Sequence, residues 1–323
     1  MAVKTAVLLV AYFGSYGLIL SGWPSLLGLW CLCVVMGVAL AGLGFCVCHD
    51  ALHGAYSADR RVNRTLGVVF DMIGANGYMW RITHNRLHHV YTNVRGYDED
   101  VDVSPLLRLS PHAPHKPMHR YQHVYAYVAY AFSTVFWVFA KDYGYFLKRD
   151  LGPYRDMRHP RSAWTFLILS KLAYYVAMIV LPLLVLDVAW WQFAIGFLTV
   201  HLVGGLILGV IFQLAHVVEP TWHVAGNDAG SIKGAWMEHQ MRATNDFAQN
   251  NRVLSWYLGG INFQVEHHLF PKICHVHYPA ISPIVERVAR RHGIPYNTCD
   301  SLWSAIGSHH RMLKQLGEPV GST

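Results

Sequence analysis

Charge is scarce in this chain. Only 14% of its 323 residues are Asp, Glu, Lys or Arg, against 53% that are hydrophobic. That balance is too apolar for an ordinary soluble domain and normal for a protein with several membrane spans. Acidic side chains are the rarest, 19 against 26 basic ones, giving a net charge of +7. No basic helix or aromatic-basic interleaving accompanies the excess, which argues against nucleic acid as a partner. The six cysteines form no C-x-x-C pair, and Cys31, Cys33, Cys46 and Cys48 lie in one apolar run. They read as small packing residues in a reducing compartment. Internal repeats and low-complexity tracts are missing. No small-residue cleavage site follows the first apolar stretch, so a removable signal peptide is not expected. Glu-x-x-His and His-Glu-x-x-His occur nowhere, which disfavours a soluble di-iron carboxylate bundle and a zinc protease.

What is plentiful is hydrocarbon. Apolar segments at about 5–20, 24–48, 163–187 and 190–215 are each near the length that crosses a hydrocarbon core of roughly 30 Å. The expected fold is all-α, with four transmembrane helices in two hairpins and a helical cap. The whole chain, 1–323, is expected to form a single domain. Of the 26 Lys and Arg, 15 fall between Arg60 and Arg161 and nine between Lys233 and Lys314. The segments 49–162 and 216–323 are therefore placed in the cytoplasm, and the turns near Pro24 and Asp187, which lack Lys and Arg, outside. The second and fourth apolar segments are overlong, since about 25 helical residues rise roughly 37 Å, so both are expected to protrude. The apolar stretches Leu66–Trp80 and Val124–Phe139 read as interfacial helices, with a fifth span as the lesser alternative.

Histidine is the second excess. All 21 avoid residues 1–48 and 160–200, and they concentrate at His49-Asp-Ala-Leu-His53, His84-Asn-Arg-Leu-His88-His89 and Gln264-Val-Glu-His267-His268. Residues four apart share a helix face, so His49 with His53, and His84 with His88, present paired imidazoles to one metal. A doubled neighbour such as His89 or His268 points about 100° away and calls for a second metal. Imidazole suits iron, zinc, copper or nickel alike. His216, at the end of the fourth apolar segment, makes an eighth ligand. Metal-bound imidazoles donate their second N–H to an orienting group, and Asp50, Glu266 and Gln264 are the candidates. The acidic run Asp98-Glu99-Asp100-Val101-Asp102 either orients ligands or is a solvated loop. His112, His115, His119, His123, His159, His223, His292, His309 and His310 read as solvated; His239, His275 and His277 lie closer to the third box, where packing or solvent contact is the first reading and an orienting role beside the ligands the alternative. His201 falls near mid-membrane, where a hydrogen-bonded neutral imidazole and a functional group are equal readings.

These clusters resemble the histidine boxes of the membrane fatty acid desaturase family, H-x(3,4)-H, H-x(2,3)-H-H and [H/Q]-x-x-H-H. His49 and His53 fit the first, His84, His88 and His89 the second, and Gln264, His267 and His268 the third. The string Gly259-Gly-Ile-Asn-Phe-Gln-Val-Glu-His-His-Leu-Phe-Pro271 is similar to front-end acyl desaturases and their bacterial relatives, and the likeness runs from about residue 40 to 296. It implies two iron ions, O2 as co-substrate, and a fatty-acyl substrate linked to CoA or to a lipid and threaded into an apolar tunnel. No His-Pro-Gly-Gly haem motif occurs, so electrons are expected from a separate donor, such as ferredoxin or cytochrome b5 with its reductase.

Removing hydrogen from unactivated methylenes is beyond acid–base side chains, so the expected activity is O2-dependent desaturation with metals carrying the chemistry. A lipid hydroxylase or ketolase on the same scaffold is one rival, and a non-enzymatic histidine-rich metal-binding protein the other. The active site is expected on the cytoplasmic face of a bacterial inner membrane or the endoplasmic reticulum, with membrane lipid as surroundings.

Overall fold

The computed structural model describes residues 1–101, 104–226 and 234–319. Asp102, Lys233 and the last four residues lie outside them. The described chain is mostly helical: α1 (Ala2–Leu20), α2 (Leu26–His53), α3 (Arg60–Met72), α4 (77–91), α5 (Pro117–Ala131), α6 (Ser133–Leu147), α7 (Arg161–Val185), α8 (Trp190–His216), α9 (Trp236–Ala243), α10 (Arg252–Tyr257), α11 (Gln264–Leu269), α12 (Tyr278–Arg291) and α13 (Leu302–Gly317). Two parallel two-stranded ladders are present. β1 (Val94–Arg95) pairs with β2 (Val224–Ala225), and β3 (Asp246–Phe247) with β4 (Thr298–Cys299).

Four helices, α1, α2, α7 and α8, are long and apolar enough to cross a membrane. They follow the four apolar segments of the sequence, with one difference that matters. α2 does not stop near residue 48 but runs to His53, because nothing breaks it before Gly54, whose left-handed φ of 75° ends the helix. The first histidine box is thus the last turn of a span. Helices α5 and α6 pass the same length and apolarity test only as a pair, bent by 56°.

By internal contacts the chain forms two compact units. The first comprises 1–79, 130–148 and 158–209. Its surface is rich in large apolar side chains, including Leu27, Ile168, Leu169 and Leu184, as suits a lipid-facing exterior. Trp23, Trp190 and Trp191 at the loops joining the spans are exposed, in the manner of an interfacial aromatic belt. Ser25 caps α2 by accepting from the Gly28 N–H at 3.3 Å. Gly205 and Gly209 on α8 form a small-xxx-small stripe against the bend between α5 and α6. A Cβ at Gly209 would lie 2.7 Å from Tyr130 Cβ, so only glycine admits this approach.

The apolar interior of this unit holds polar groups that hydropathy alone does not reveal. Lys171 on α7 is 1% exposed. Its ammonium sits 2.7 Å from Asp142 Oδ2 on α6 and donates to the carbonyls of Gly74 and Trp137 at 2.7 and 3.2 Å. His201 resolves as a hydrogen-bonded imidazole, with Tyr174 OH at 2.8 Å and Thr134 Oγ1 at 3.2 Å.

The second unit comprises 80–129, 149–157 and 210–323. One apolar cluster, Met241, Val265, Val285 and Ala289, joins α9, α11 and α12. Arg108 is buried and donates to the carbonyls of Leu316, Pro111 and Ala113. It fastens its loop to α13. Three histidines expected in solvent are buried instead: His119, His223 and His309. Two of them are spent on backbone carbonyls, His119 Nε2 on Pro105 at 3.2 Å and His309 Nδ1 on Val217 at 2.7 Å, which is how a buried imidazole avoids an unmet donor.

Candidate metal centre

In the first unit, α2 widens into a π-helical segment, Leu43–Cys48, immediately before His49–His53. The rings of His49 and His53 then stand edge to face with centroids 4.6 Å apart, as the spacing of four requires. Asp50 is buried, but its Oδ1 is 3.9 Å from His49 Nδ1, beyond hydrogen-bond range.

The second box is where local geometry departs most from an ordinary helix. Residues Arg81–His88 are π-helical. Hydrogen bonds to the fifth residue on widen the turn, so His89 swings back toward His84 instead of pointing away. Their Nε2 atoms are 3.2 Å apart. The acidic run supplies the orienting groups: His84 Nδ1 meets Asp100 Oδ2 at 3.2 Å, and His88 Nδ1 meets Asp98 Oδ2 at 3.0 Å. Asp98 is itself fixed, accepting from the backbone N–H groups of Asn93 and Asp100.

α11 carries the third box. His268 Nδ1 donates to Gln240 Oε1 at 2.8 Å, and His267 Nδ1 lies 3.2 Å from the Tyr278 hydroxyl. His216, the last residue of α8, lies with its ring centroid 4.6 Å from that of His88 and 4.9 Å from that of His268. The second unit thus contains two histidine groups whose nitrogens lie within 4.8 Å of one another, His88, His216, His268 and His89, His267, His268. The doubled histidines of the second box fall into different groups, and His268 belongs to both. Gln264 is buried with Oε1 lacking a hydrogen-bond partner, while Glu266 Oε1 lies 2.9 Å from the Tyr296 hydroxyl.

A metal fits this chemistry. Hydrogen bonds to carboxylate or amide oxygens place the proton of His88 and His268 on Nδ1 and leave a lone pair on Nε2. For His268 that Nε2 is buried with no hydrogen-bond partner. Burial first, and then the neighbouring His89 and His216, hold its pKa well below the ordinary imidazole value, so the ring stays in the neutral form that binds metal.

A family model described as fatty acid desaturase matches residues 4–300. The chain belongs to the fatty acid desaturase family. Among curated proteins it is similar to the sn-1 linoleoyl-lipid 6-desaturase of Arthrospira platensis, 34% identical over 322 residues, covering 98% of this chain and 85% of the relative. It is equally similar to the protein of that name from Synechocystis sp. (strain ATCC 27184 / PCC 6803 / Kazusa), 34% identical, covering 98% and 89%. The acyl-lipid (8-3)-desaturase of Physcomitrium patens is 33% identical, with 98% and 66% covered. The desaturase is thus an oxidoreductase that introduces a double bond into a fatty-acyl chain, and its histidine clusters are compatible with a metal site.

Several participants in this desaturase's site escaped sequence reasoning. Gln240, Tyr278 and Thr92 touch third-box imidazoles but belong to no box. Thr92 Oγ1 lies 2.8 Å from Gln240 Oε1 and 3.2 Å from His268 Nδ1. His239, for which the sequence leaves an orienting role open beside packing, has Nε2 2.8 Å from the Thr92 carbonyl and so supports the same turn.

Proposed function

We propose that this desaturase is an O2-dependent acyl-lipid desaturase whose two irons are held by His49, His53, His84, His88, His89, His216, His267 and His268. The observation that carries the reading is the pair of histidine groups in the second unit, which share His268. Six imidazoles come from that unit, and His49 and His53 at the end of α2 supply two more, four nitrogens for each metal. An all-nitrogen set with room for further coordination suits iron engaged in oxygen chemistry. The family resemblance favours the same metal.

When bound, the two irons supply the oxidising power of O2. The overall change converts –CH2–CH2– to –CH=CH–. The two hydrogens removed, two protons and two electrons from a donor reduce O2 to two waters. The electrons come from a separate carrier such as ferredoxin, or cytochrome b5 with its reductase. The chain's own residues orient and insulate. Asp98, Asp100, Gln240 and Tyr278 fix the direction in which His88, His84, His268 and His267 present Nε2. The box histidines other than the half-buried His53 are themselves buried, His88 and His268 fully so, which keeps bulk water from competing for the oxidant. A lipid-linked acyl chain as substrate is supported by the names of the similar desaturases. A cytoplasmic site is supported by the 24 of 26 Lys and Arg that fall in two segments.

The test is expression with an electron donor in cells of known lipid composition, followed by mass spectrometry of each lipid class with double-bond location. A new unsaturated chain on a glycerolipid, lost in His88→Ala and His268→Ala, is the expected result. A hydroxylated product, unsaturation confined to acyl-CoA, or purified protein with one zinc and no iron would overturn the reading.

A further inference from the structure

The third-box helix α11 has six residues, too few to hold itself as an isolated helix. Its hold comes from Asp246, a side chain outside every histidine box. Asp246 Oδ1 accepts from the backbone N–H of Val265 at 2.8 Å, inside the first turn of α11. Its other oxygen, Oδ2, accepts from Gln249 Nε2 at 2.7 Å and from the Tyr296 hydroxyl at 2.7 Å. The same hydroxyl lies 2.9 Å from Glu266 Oε1, the residue that precedes His267. Gln249 Nε2 and Ser282 Oγ close the ring, at 3.0 and 2.9 Å from the Tyr296 hydroxyl.

Each member is fixed in turn. Asp246 begins the strand pair β3–β4, in register with Thr298, two residues beyond Tyr296. The body of Tyr296 packs on the cluster that contains Val265, Val285 and Ala289. Asp246 and Glu266 are both fully buried, and among the described residues neither ion-pairs with a Lys or Arg. Two carboxyl groups buried together without a cation are expensive, and an apolar pair would fill the space at lower cost. The arrangement is specific in one respect. It grips α11 at two successive residues, Val265 by its backbone and Glu266 by its side chain. Successive residues lie about 100° apart around a helix, so two such grips fix rotation as well as position. Rotation decides which way His267 and His268 point.

We propose that Asp246 and Tyr296 are positioning residues for the metal centre, setting the rotation of α11 so that His268 reaches both histidine groups of the second unit and His267 the one it shares with His89. This rests on the reading of those histidines as metal ligands.

The experiment uses the full chain, purified in detergent and stripped of metal, then titrated with Co2+. Stoichiometry is read by elemental analysis, affinity by competition with a chelator, and geometry from the visible ligand-field bands. Tyr296→Phe and Asp246→Leu are expected to weaken one of the two ions by about 10- to 100-fold and to shift its bands. Asp246→Asn keeps an acceptor for the Val265 N–H and restores the wild-type band position. Wild-type affinity and bands in both Tyr296→Phe and Asp246→Leu would overturn the proposal. If Asp246→Leu fails to fold, Tyr296→Phe decides, because it removes a single oxygen. His268→Ala separates the two ideas. Unchanged cobalt binding in that variant, or no binding by the wild-type protein, overturns the ligand assignment and this inference with it. Loss in His268→Ala beside wild-type behaviour in Tyr296→Phe removes this inference alone.

Discussion

The ammonium of Lys171 and the carboxylate of Asp142 face each other at 2.7 Å, with side chains 2% and 3% exposed, in helices α7 and α6. Removing one member of such a pair strands the other charge in a place that cannot solvate it, at about 3–5 kcal/mol, whereas replacing both with apolar groups is often nearly neutral. Lys171→Met is therefore expected to lower the melting temperature of the detergent-solubilised protein, and Lys171→Met with Asp142→Leu to recover most of the loss. Equal melting of the single and double variants would show that the two charges do not depend on each other.

Gly209 and Gly144 make opposite predictions for the same substitution. A methyl group at Gly209 meets Tyr130 Cβ at 2.7 Å, while nothing lies within 4 Å of the position a methyl would take at Gly144. Gly209→Ala should cost about 1–3 kcal/mol through overpacking. Gly144→Ala, in α6, should gain up to about 1 kcal/mol from helix propensity. Thermal unfolding of the two variants side by side checks the sign of each.

Asp98 serves His88 and two backbone N–H groups at once, and Asp100 serves His84. Asp98→Ala should weaken metal binding by about 10- to 100-fold and loosen the turn after the second box, whereas Asp100→Ala should affect metal alone. Metal per chain after purification, with melting of the metal-free protein, separates these outcomes. Full metal occupancy in Asp98→Ala would remove its orienting role.

Burial pushes His309 and His223 down from an ordinary value of 6.5 to about 4. A depressed value means that the unfolded chain binds the proton more readily, so stability rises with pH between the two values. Both histidines leave stability flat above about pH 6.5, and their contribution declines progressively from there to about pH 4. His309→Gln, which keeps a donor for the Val217 carbonyl, should flatten part of that slope when melting is followed across pH. An unchanged slope would place the acid sensitivity elsewhere.

The spans and the boxes are legible in the sequence for simple reasons. Hydropathy over about 20 residues reports a span directly, and His49 with His53, or His84 with His88, lie at the helical spacing of four. What stays hidden depends on backbone detail or on distance along the chain. Nothing in Arg81–His88 announces a π-helix, yet that widening is what turns His89 toward His84. Lys171 reads as a single base in an apolar run because Asp142 lies 29 positions earlier, in a stretch that does not pass as a span alone. Gln240 and Tyr278 stand 28 and 11 positions from the imidazoles they touch. His119, His223 and His309 mislead in the other direction, since a loop or amphipathic setting suggests water where the fold supplies cover.

Asn93 is fully buried in a left-handed conformation, φ 58°. Its side-chain amide donates to the carbonyls of His216, Trp222 and Ala243, which follow it by 123, 129 and 150 positions. At about 5–20 residues per second, those partners leave the ribosome on the order of ten seconds after the second box. The turn behind that box therefore has no closing contacts while the first half of the protein is already being inserted. The turn that carries Asn93 closes fully only once synthesis has passed Ala243.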